Sequence, residues 1–342
     1  MNMKKTLCTL LAALMLTGSG AAMTGCTQAD ETQTGMLTVI DQTGREVTLD
    51  KPAEKLVSSY YISTALLVAL GCEDNLCGIE MKADTRELYR LAAPQLLDLP
   101  AVGSGKGINV EETAALSPDL VILPARLADS VPSFEELGIP VLVVNPETQA
   151  DFEACVTLLA EVTGKTERGE ALLDYYQGKM AEAAELTAEL ERPTVYLASS
   201  GSYLRTCTDN MYQSDLIEMA GGICVSAELT DGYWTEVSAE QVLAWNPEYI
   251  FSVQGADYTL EDIRNDTALS EVSAMKNGNL AVFPSEIEAW DYPTPSSVLG
   301  VLWLTHQLHP EAYTKEQYVS EAQNFYRTYF DIDVTEAQLG LE

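Results

Sequence analysis

The sequence is poor in basic residues and in histidine. It has 19 Lys and Arg against 52 Asp and Glu, which gives a formal net charge of -33 at pH 7. Such an acidic surface repels a phosphate backbone, so we expect no binding to nucleic acid. The two histidines, His306 and His309, lie near the end of one predicted helix without an evident third ligand. This argues against a metal site and against a receptor for free zinc or manganese.

The sequence also lacks the motifs of common hydrolases and nucleotide-binding enzymes. It has no Gly-x-Ser-x-Gly motif, and the serine-rich segment 199–202 has no histidine near it in the sequence. The glycine-rich segment 103–107 has neither the Walker spacing nor a following Ser or Thr. We therefore expect a protein that is not an enzyme and has no intrinsic cofactor. An extracytoplasmic hydrolase is the alternative from another class.

Its cysteines form no C-x-x-C motif. Of the seven, Cys8 and Cys26 belong to the N-terminal segment. The five cysteines that remain are an odd number without a C-x-x-C pair, which argues against a zinc site or a disulfide framework. Cys72 and Cys77 could pair across their short loop, but the apolar surroundings of Cys77 favour the start of a strand. The remaining cysteines are Cys155, Cys207 and Cys224.

The first 25 residues predict a bacterial export signal. Lys4 and Lys5 precede the apolar run 7–16, and small residues follow it. The run is too short to form a permanent membrane-spanning helix. The mature protein is therefore expected outside the cytoplasm.

The signal ends in Met23-Thr24-Gly25-Cys26, which resembles a lipobox. In that interpretation Cys26 carries a lipid that anchors the protein to the cell membrane. Residues 26–35, which are polar and small, would then form a tether. Secretion after cleavage near Ala22, with Cys26 incidental, is the alternative.

Short apolar runs alternate with helical segments along the rest of the chain. Residues 37–49 predict a β-hairpin with Gly44 in its turn. Continuous Val, Ile and Leu runs at 120–123 and 141–144, between helices, are typical of a parallel sheet covered on both faces. Residues 166–191 keep helical spacing without a proline.

This alternation predicts an α/β fold with two Rossmann-like lobes joined by a single long, rigid helix. The expected boundaries are an N-terminal lobe over 36–165, the connecting helix over 166–192 and a C-terminal lobe over 193–342. A mature chain of this length is large enough for each lobe to bury its own core.

Aromatic and cationic residues concentrate in the loops that follow the predicted strands. In open α/β sheets, ligands bind outside the carboxyl ends of the strands. Aromatic faces with a few convergent cations suit a planar or chelated anionic ligand. Packing of each ring at a lobe edge, with each cation paired to an acid, is the alternative. The candidate ligand-binding residues are Tyr60, Tyr61, Lys106, Arg126, Tyr203, Arg205, Tyr212, Trp234, Trp290 and Tyr292.

Several short segments occur in a characteristic order along the chain: 41–47 with 51–53, 109–112 with 115–121, 137–141, 217–222, 237–241, 246–248 and 299–304. Each is weak alone, but together and in order they are specific. They resemble the substrate-binding lipoproteins of ABC importers for iron–siderophores, haem and cobalamin, and the resemblance extends over nearly all of residues 36–330.

The resemblance implies a class III periplasmic-binding-protein-like fold and a function in import. The protein would capture a ferric siderophore, haem or cobalamin between its lobes and deliver it to an ABC permease with its ATPase. We expect the protein to be a monomer. Relatives containing a segment like 290–296 bind oxyanions, so a molybdate or tungstate receptor of the same fold is the alternative ligand class.

The resemblance also implies roles for particular residues. Glu111 and Glu240 match the glutamates that dock onto permease arginines, one from each lobe. The family's ligand contacts fall on loops that match Tyr60, Tyr61, Lys106, Arg205, Trp234 and Trp290.

Overall fold

A computed structural model of the chain describes residues 36–284 and 286–341. The predicted export signal, Cys26 and the whole predicted tether lie outside these residues. Within them, no helix has both the length and the apolar character needed to cross a bilayer.

The described chain begins with the predicted β-hairpin. Strands β1 (Leu37–Ile40) and β2 (Glu46–Leu49) pair antiparallel. Gly44 has a φ of +82° in the turn, a conformation that glycine adopts without a steric penalty. The buried Asp41 carboxylate accepts hydrogen bonds from the turn's backbone N–H groups, which fixes its shape.

Six strands form the sheet of the first lobe, in the order β6-β5-β4-β3-β7-β8. All neighbouring pairs are parallel except β5 and β6. The two strands with the longest apolar runs, at 120–124 and 141–144, are buried along their whole length, as those runs predict. The strands are β3 (Leu56–Ser58), β4 (Leu76–Glu80), β5 (Ala101–Ser104), β6 (Gly107–Ile108), β7 (Leu120–Pro124) and β8 (Val141–Val144).

Five helices accompany this sheet. The Thr148 side chain caps the start of the fifth helix, and Gly164, at φ +68°, ends it. The helices are α1 (Tyr61–Ala69), α2 (Glu87–Ala92), α3 (Val110–Ala115), α4 (Val131–Glu135) and α5 (Gln149–Thr163).

Helix α6 (Thr166–Thr187) leads from the first lobe to the second. It packs on α5 and on α11 (Ser297–Leu308) of the second lobe, and its Tyr176 hydroxyl donates to the carbonyl of Pro295 at 2.6 Å. Residues of both sheets and of α6 belong to one buried apolar cluster. A core that continues through the connection explains why the two lobes form one unit.

The second sheet has the order β12-β10-β9-β13-β14. Strand β11 pairs with the first residues of β9, whereas β10 pairs with its last residues. Strands β9, β11, β13 and β14 are parallel to one another. Strand β10 is antiparallel to β9, and β12 is antiparallel to β10. The strands are β9 (Thr194–Ser199), β10 (Ser202–Thr206), β11 (Ile223–Cys224), β12 (Thr235–Glu236), β13 (Tyr249–Ser252) and β14 (Leu280–Val282).

The helices of the second lobe complete the fold. Helix α11 is buried over almost its whole surface, because α6 and α12 cover it. Besides α11, the helices are α7 (Tyr212–Met219), α8 (Ala239–Trp245), α9 (Leu260–Asn265), α10 (Ser273–Asn277) and α12 (Lys315–Phe330).

Candidate ligand-binding cleft

Loops from both lobes enclose a cavity of about 350 Å³. On the first lobe, Tyr60 and Tyr61 follow β3 and Arg126 follows β7. On the second lobe, Tyr212 begins α7, while Trp234 and Tyr292 come from loops. The structure therefore brings six of the predicted residues together around one opening: Tyr60, Tyr61, Arg126, Tyr212, Trp234 and Tyr292.

The two walls of the cleft are bonded directly to each other. The backbone N–H of Tyr212 donates to the carbonyl of Glu147 at 2.5 Å, and the N–H of Gln149 donates to Asp215 Oδ2 at 2.8 Å. These hydrogen bonds hold α7 against the loop after β8. The position of Tyr212 relative to the first lobe is thus fixed by main-chain contacts.

A row of tyrosine rings crosses from one lobe to the other. The Tyr60 and Tyr61 ring centroids are 5.5 Å apart, and those of Tyr61 and Tyr292 are 6.4 Å apart; both pairs meet edge to face. Burial raises the pKa of Tyr60 well above its usual value and that of Tyr292 to about 12. These phenols therefore stay neutral at physiological pH and can donate hydrogen bonds.

Arg126 is held over the first ring of this row. Its guanidinium carbon lies 4.9 Å from the Tyr60 ring centroid, and its Nε donates to the Gly105 carbonyl at 2.6 Å. A Cβ at Gly105 would collide with the guanidinium, so the glycine-rich loop permits this close approach. Arg126 lines the cavity of about 350 Å³ and a second, adjoining one, and is therefore a central cation of the cleft.

Four cations line the side of the cleft formed by the first lobe, around a cavity of about 530 Å³. Most other basic side chains form ion pairs with carboxylates. Within residues 36–284 and 286–341, these four have no carboxylate oxygen within 4.0 Å of their nitrogens. In a strongly acidic chain, such unpaired cations indicate a site for an anion. They are Lys82, Arg86, Lys106 and Arg126.

A third cavity, of about 450 Å³, lies between the lobes beside Tyr61 and Tyr292 and contains buried carboxyls. Asp291 is only 1% exposed, and neither of its carboxyl oxygens has a hydrogen-bond partner among the described residues. Glu288 accepts hydrogen bonds from the N–H and hydroxyl of Ser296. Burial raises the pKa of each carboxyl to about 7.

Trp290 does not line any of these cavities, which corrects its assignment as a ligand contact. It is 2% exposed, and its Nε1 donates to the Tyr326 hydroxyl at 3.1 Å. A Cβ at Gly300 would collide with the Trp290 carbonyl oxygen, so α11 packs tightly on this residue. Trp290 fills the core between the 286–292 loop and the C-terminal helices.

Three other predicted residues lie at different distances from the cleft. Lys106 is exposed at the cationic side. Arg205 lines none of the described cavities, but its Nη2 lies 3.4 Å from the Trp234 carbonyl and its Nε 4.0 Å from Glu236. Tyr203 donates to Asp266 at 3.2 Å and packs on Tyr258 at the edge of the second sheet. The assignment of Tyr203 to the cleft is therefore wrong.

Sequence reasoning missed several residues that line the cleft. Arg86 lies 4.3 Å above the Tyr61 ring, in the connection after β4. Glu147 lies in the loop after β8, and burial raises its pKa. Both loops follow parallel strands, so the rule that ligands bind at the carboxyl ends of strands could have found them. The other missed residues include Lys82 and Asp291.

The two histidines lie against backbone carbonyls, and Cys77 lies in a strand. His306 Nδ1 lies 2.7 Å from the Tyr313 carbonyl, and His309 Nε2 lies 3.3 Å from the Gly221 carbonyl. No group of three potential metal ligands occurs in the described part of the chain. Cys77 belongs to β4, as the strand interpretation predicts, and both it and Cys72 are free thiols.

The predicted docking residues each lie in the first turn of a helix. Glu111 follows the cap residue Asn109 of α3, and Glu240 follows the cap residue Ser238 of α8. Both are exposed. A backbone hydrogen bond lowers the pKa of Glu240. Each lobe thus presents an exposed glutamate at a helix start.

Two α/β lobes, a connecting helix and an aromatic, cationic cleft define the class of extracytoplasmic solute-binding proteins. The family model described as "Periplasmic binding protein" matches residues 56–287. The chain belongs to this family, and is a substrate-binding protein of ABC transporters. The curated relatives that it matches are named as binding proteins or as a substrate-binding lipoprotein of an ABC transporter.

Individual relatives confirm the extent of the match. The molybdate-binding protein MolA of Haemophilus influenzae is 25% identical over 326 residues, covering 86% of this chain and 92% of that protein. The structure of MolA bound to molybdate has a TM-score of 0.77 at 22% identity, covering 87% and 99%. A periplasmic solute binding protein from Veillonella parvula has a TM-score of 0.75 at 24% identity, covering 90% and 96%.

A relative with a different named ligand matches a shorter part of the chain. The vitamin B12-binding protein of Yersinia pestis is 25% identical over 216 residues, covering 62% of this chain and 73% of that protein. Relatives at about the same identity thus carry the names of chemically different ligands. The names of the relatives therefore do not fix the ligand class of this chain, which depends on the residues of its cleft.

Proposed function

We propose that this protein captures an anionic metal chelate, such as a ferric siderophore, in the cleft between its lobes and delivers it to an ABC permease. The observation that supports this most is the set of four unpaired cations beside the tyrosine row. The cations would neutralise the negative charge of the chelate, and the rings would contact its planar faces.

The size of the cleft favours a chelate. The cavities of about 350, 450 and 530 Å³ share Tyr61, and two of them share Arg126. Each volume is already in the range of sites for drug-sized ligands, roughly 300–1,000 Å³. Neutral tyrosine hydroxyls would add donors for the oxygens of the ligand, because hydroxyl groups both donate and accept.

A tetrahedral oxyanion such as molybdate or tungstate is the second candidate. The name of the Haemophilus relative favours it, and Arg126 with its neighbouring tyrosine hydroxyls would supply the donors. An oxyanion would occupy only a small part of the cleft. The two candidates therefore differ in how many of the cavity-lining residues they would need.

A thermal-shift and calorimetric screen tests the proposal. The probes are a ferric catecholate, a ferric hydroxamate, haem, cyanocobalamin, molybdate and tungstate. A ligand that binds only the folded protein raises Tm as its concentration exceeds Kd. We expect an anionic chelate to give the largest shift; a shift with molybdate or tungstate alone would replace the chelate by the oxyanion, and no shift with any probe would contradict both.

Arg126→Gln is the variant for this screen. Loss of a charge-assisted hydrogen bond costs about 1.5–3 kcal/mol, so the affinity for the bound probe should fall roughly 10- to 100-fold. Arg264→Gln is the matched control, because Arg264 is exposed, pairs with Glu261 and lines none of the described cavities. An equal loss in the two variants would show that general charge, rather than the cleft, attracts the ligand.

Delivery is expected to depend on Glu111 and Glu240. We propose that each docks onto a cation of the permease, which gives a two-point contact that is sensitive to salt. The double variant Glu111→Ala/Glu240→Ala should bind the probe with unchanged Kd but abolish uptake in cells. Glu112→Ala, which removes an exposed neighbour in the same helix, should transport normally; uptake by the double variant at the normal rate would contradict the docking proposal.

A further inference from the structure

Two thiols that the sequence leaves far apart are in contact in the second lobe. Cys207 directly follows β10 and Cys224 ends β11. Their Sγ atoms are 3.9 Å apart, and both residues are buried. No other pair of cysteines shows such a contact among the described residues.

The pairing of the strands, rather than any bond between the thiols, brings the two Sγ atoms close together. Strands β10 and β11 both pair with β9: Thr206 lies opposite Ala198, and Cys224 lies opposite Val195. A hydrogen bond of 3.2 Å between Thr206 Oγ1 and Ser226 Oγ joins the residue before Cys207 to the second residue after Cys224. The backbone on both sides of the pair is therefore fixed independently of any bond between the sulfurs.

The surroundings favour reaction of one of the two thiols. Ser226 Oγ lies 3.3 Å from Cys224 Sγ and 3.8 Å from Cys207 Sγ. A hydrogen bond from the Cys207 thiol, assisted by Ser226, lowers the pKa of Cys224. A thiolate at Cys224 is the nucleophile that thiol–disulfide exchange requires.

We propose that Cys207 and Cys224 form a disulfide bond when the chain folds in an oxidising extracytoplasmic compartment. The oxidant is a small-molecule or protein disulfide. The Cys224 thiolate attacks one sulfur of that disulfide and releases the other as a thiolate. The Cys207 thiolate then attacks Cys224 Sγ in the mixed disulfide, which expels the second thiolate. The pair loses two electrons and two protons, and the oxidant is reduced to two thiols.

Because both sulfurs are buried in the folded protein, the reaction takes place during folding. A completed fold shields both sulfurs from a bulky oxidant, so exchange occurs after β10 and β11 have brought the thiols together but before this edge of the sheet is covered. The bond would close the segment 207–224, which contains Met211, Tyr212 and Gln213 of the cleft wall. The inference depends on the extracytoplasmic location of the protein and not on the identity of its ligand.

Oxidative refolding tests the proposal. The full chain, purified in detergent, is unfolded with reductant and refolded in oxidised and reduced glutathione. Remaining thiols are then blocked with N-ethylmaleimide, and the peptides are analysed by mass spectrometry. We expect a linked peptide pair containing Cys207 and Cys224, with Cys72, Cys77 and Cys155 alkylated. Closing a loop of this length should also raise Tm by roughly 5 °C over the dithiothreitol-treated protein.

Two variants separate this bond from other effects of oxidation. Cys207→Ser should abolish both the linked peptide and the Tm difference, whereas Cys155→Ser, which changes another buried cysteine, should keep both. If Cys207→Ser does not fold, peptide mapping of the wild-type chain decides the question. Alkylation of both Cys207 and Cys224 after oxidative refolding, or linkage of either to another cysteine, overturns the proposal.

Discussion

Replacing Trp290 with alanine should lower the free energy of unfolding by about 3–5 kcal/mol, the usual cost of removing a large buried aromatic side chain. The ring is fully enclosed and donates its only hydrogen bond to Tyr326. Its removal leaves a cavity between the 286–292 loop and α12, and it leaves the buried Tyr326 hydroxyl without its indole donor. Urea denaturation, with the midpoint and slope both fitted, measures the effect.

Trp234→Ala is the matched control, since it removes the same side chain from the wall of the cleft. Trp234 is only partly buried, so the variant should change stability by about 1 kcal/mol or less. It should instead weaken binding of the probe identified in the screen. If Trp290→Ala kept wild-type stability and lost only binding, Trp290 would be a ligand contact and its assignment to the core would be wrong.

The second large effect concerns pH. Asp291 and Glu288 have pKa values raised to about 7 by burial, whereas they titrate near their ordinary values in the unfolded chain. Between these values the folded protein binds more protons than the unfolded chain, so stability falls as the pH rises. The contribution of these two carboxyls to the free energy of unfolding is complete below about pH 4 and is lost as the pH rises through about 7. For Asp291 the shift corresponds to roughly 4 kcal/mol at most.

Asp291→Asn should therefore flatten the decline in stability between pH 5 and 8. The comparison is made between slopes, because the buried amide brings its own unpaired groups and changes the absolute stability. Asp98→Asn, which neutralises an exposed carboxylate, should retain the slope of the wild type. A wild-type stability that is constant or rises from pH 5 to 8, or an unchanged slope in Asp291→Asn, would contradict the assignment of a buried protonated carboxyl.

The structure also explains why large movements of the lobes are not expected. The apolar cluster continues through α6, and the Tyr212–Glu147 backbone hydrogen bond joins the two walls of the cleft. Opening the lobes would expose apolar surface and break that bond. Ligand entry thus depends on an opening that is already present.

Local patterns in the sequence were sufficient for the fold. The hairpin, the buried strands and the long helix α6 follow from hydrophobic periodicity and glycine positions, and these signals act over a few residues. They also predicted that loops at the carboxyl ends of the strands would gather at one cleft, as Tyr60, Arg126 and Tyr212 do. These elements depend on the neighbours of each residue along the chain.

Residues with the same local signal took different places only in the tertiary structure. Trp234 and Trp290 both lie in loops after strands, yet Trp234 borders the cleft, whereas Trp290 is covered by α11 and α12. Cys207 and Cys224 meet because both flank one edge of β9. The sequence by itself determined the lobes, their connection and the end of the sheets that faces the ligand. Which side chains reach that space was decided by packing between segments distant along the chain, and single-sequence patterns carry no record of those contacts.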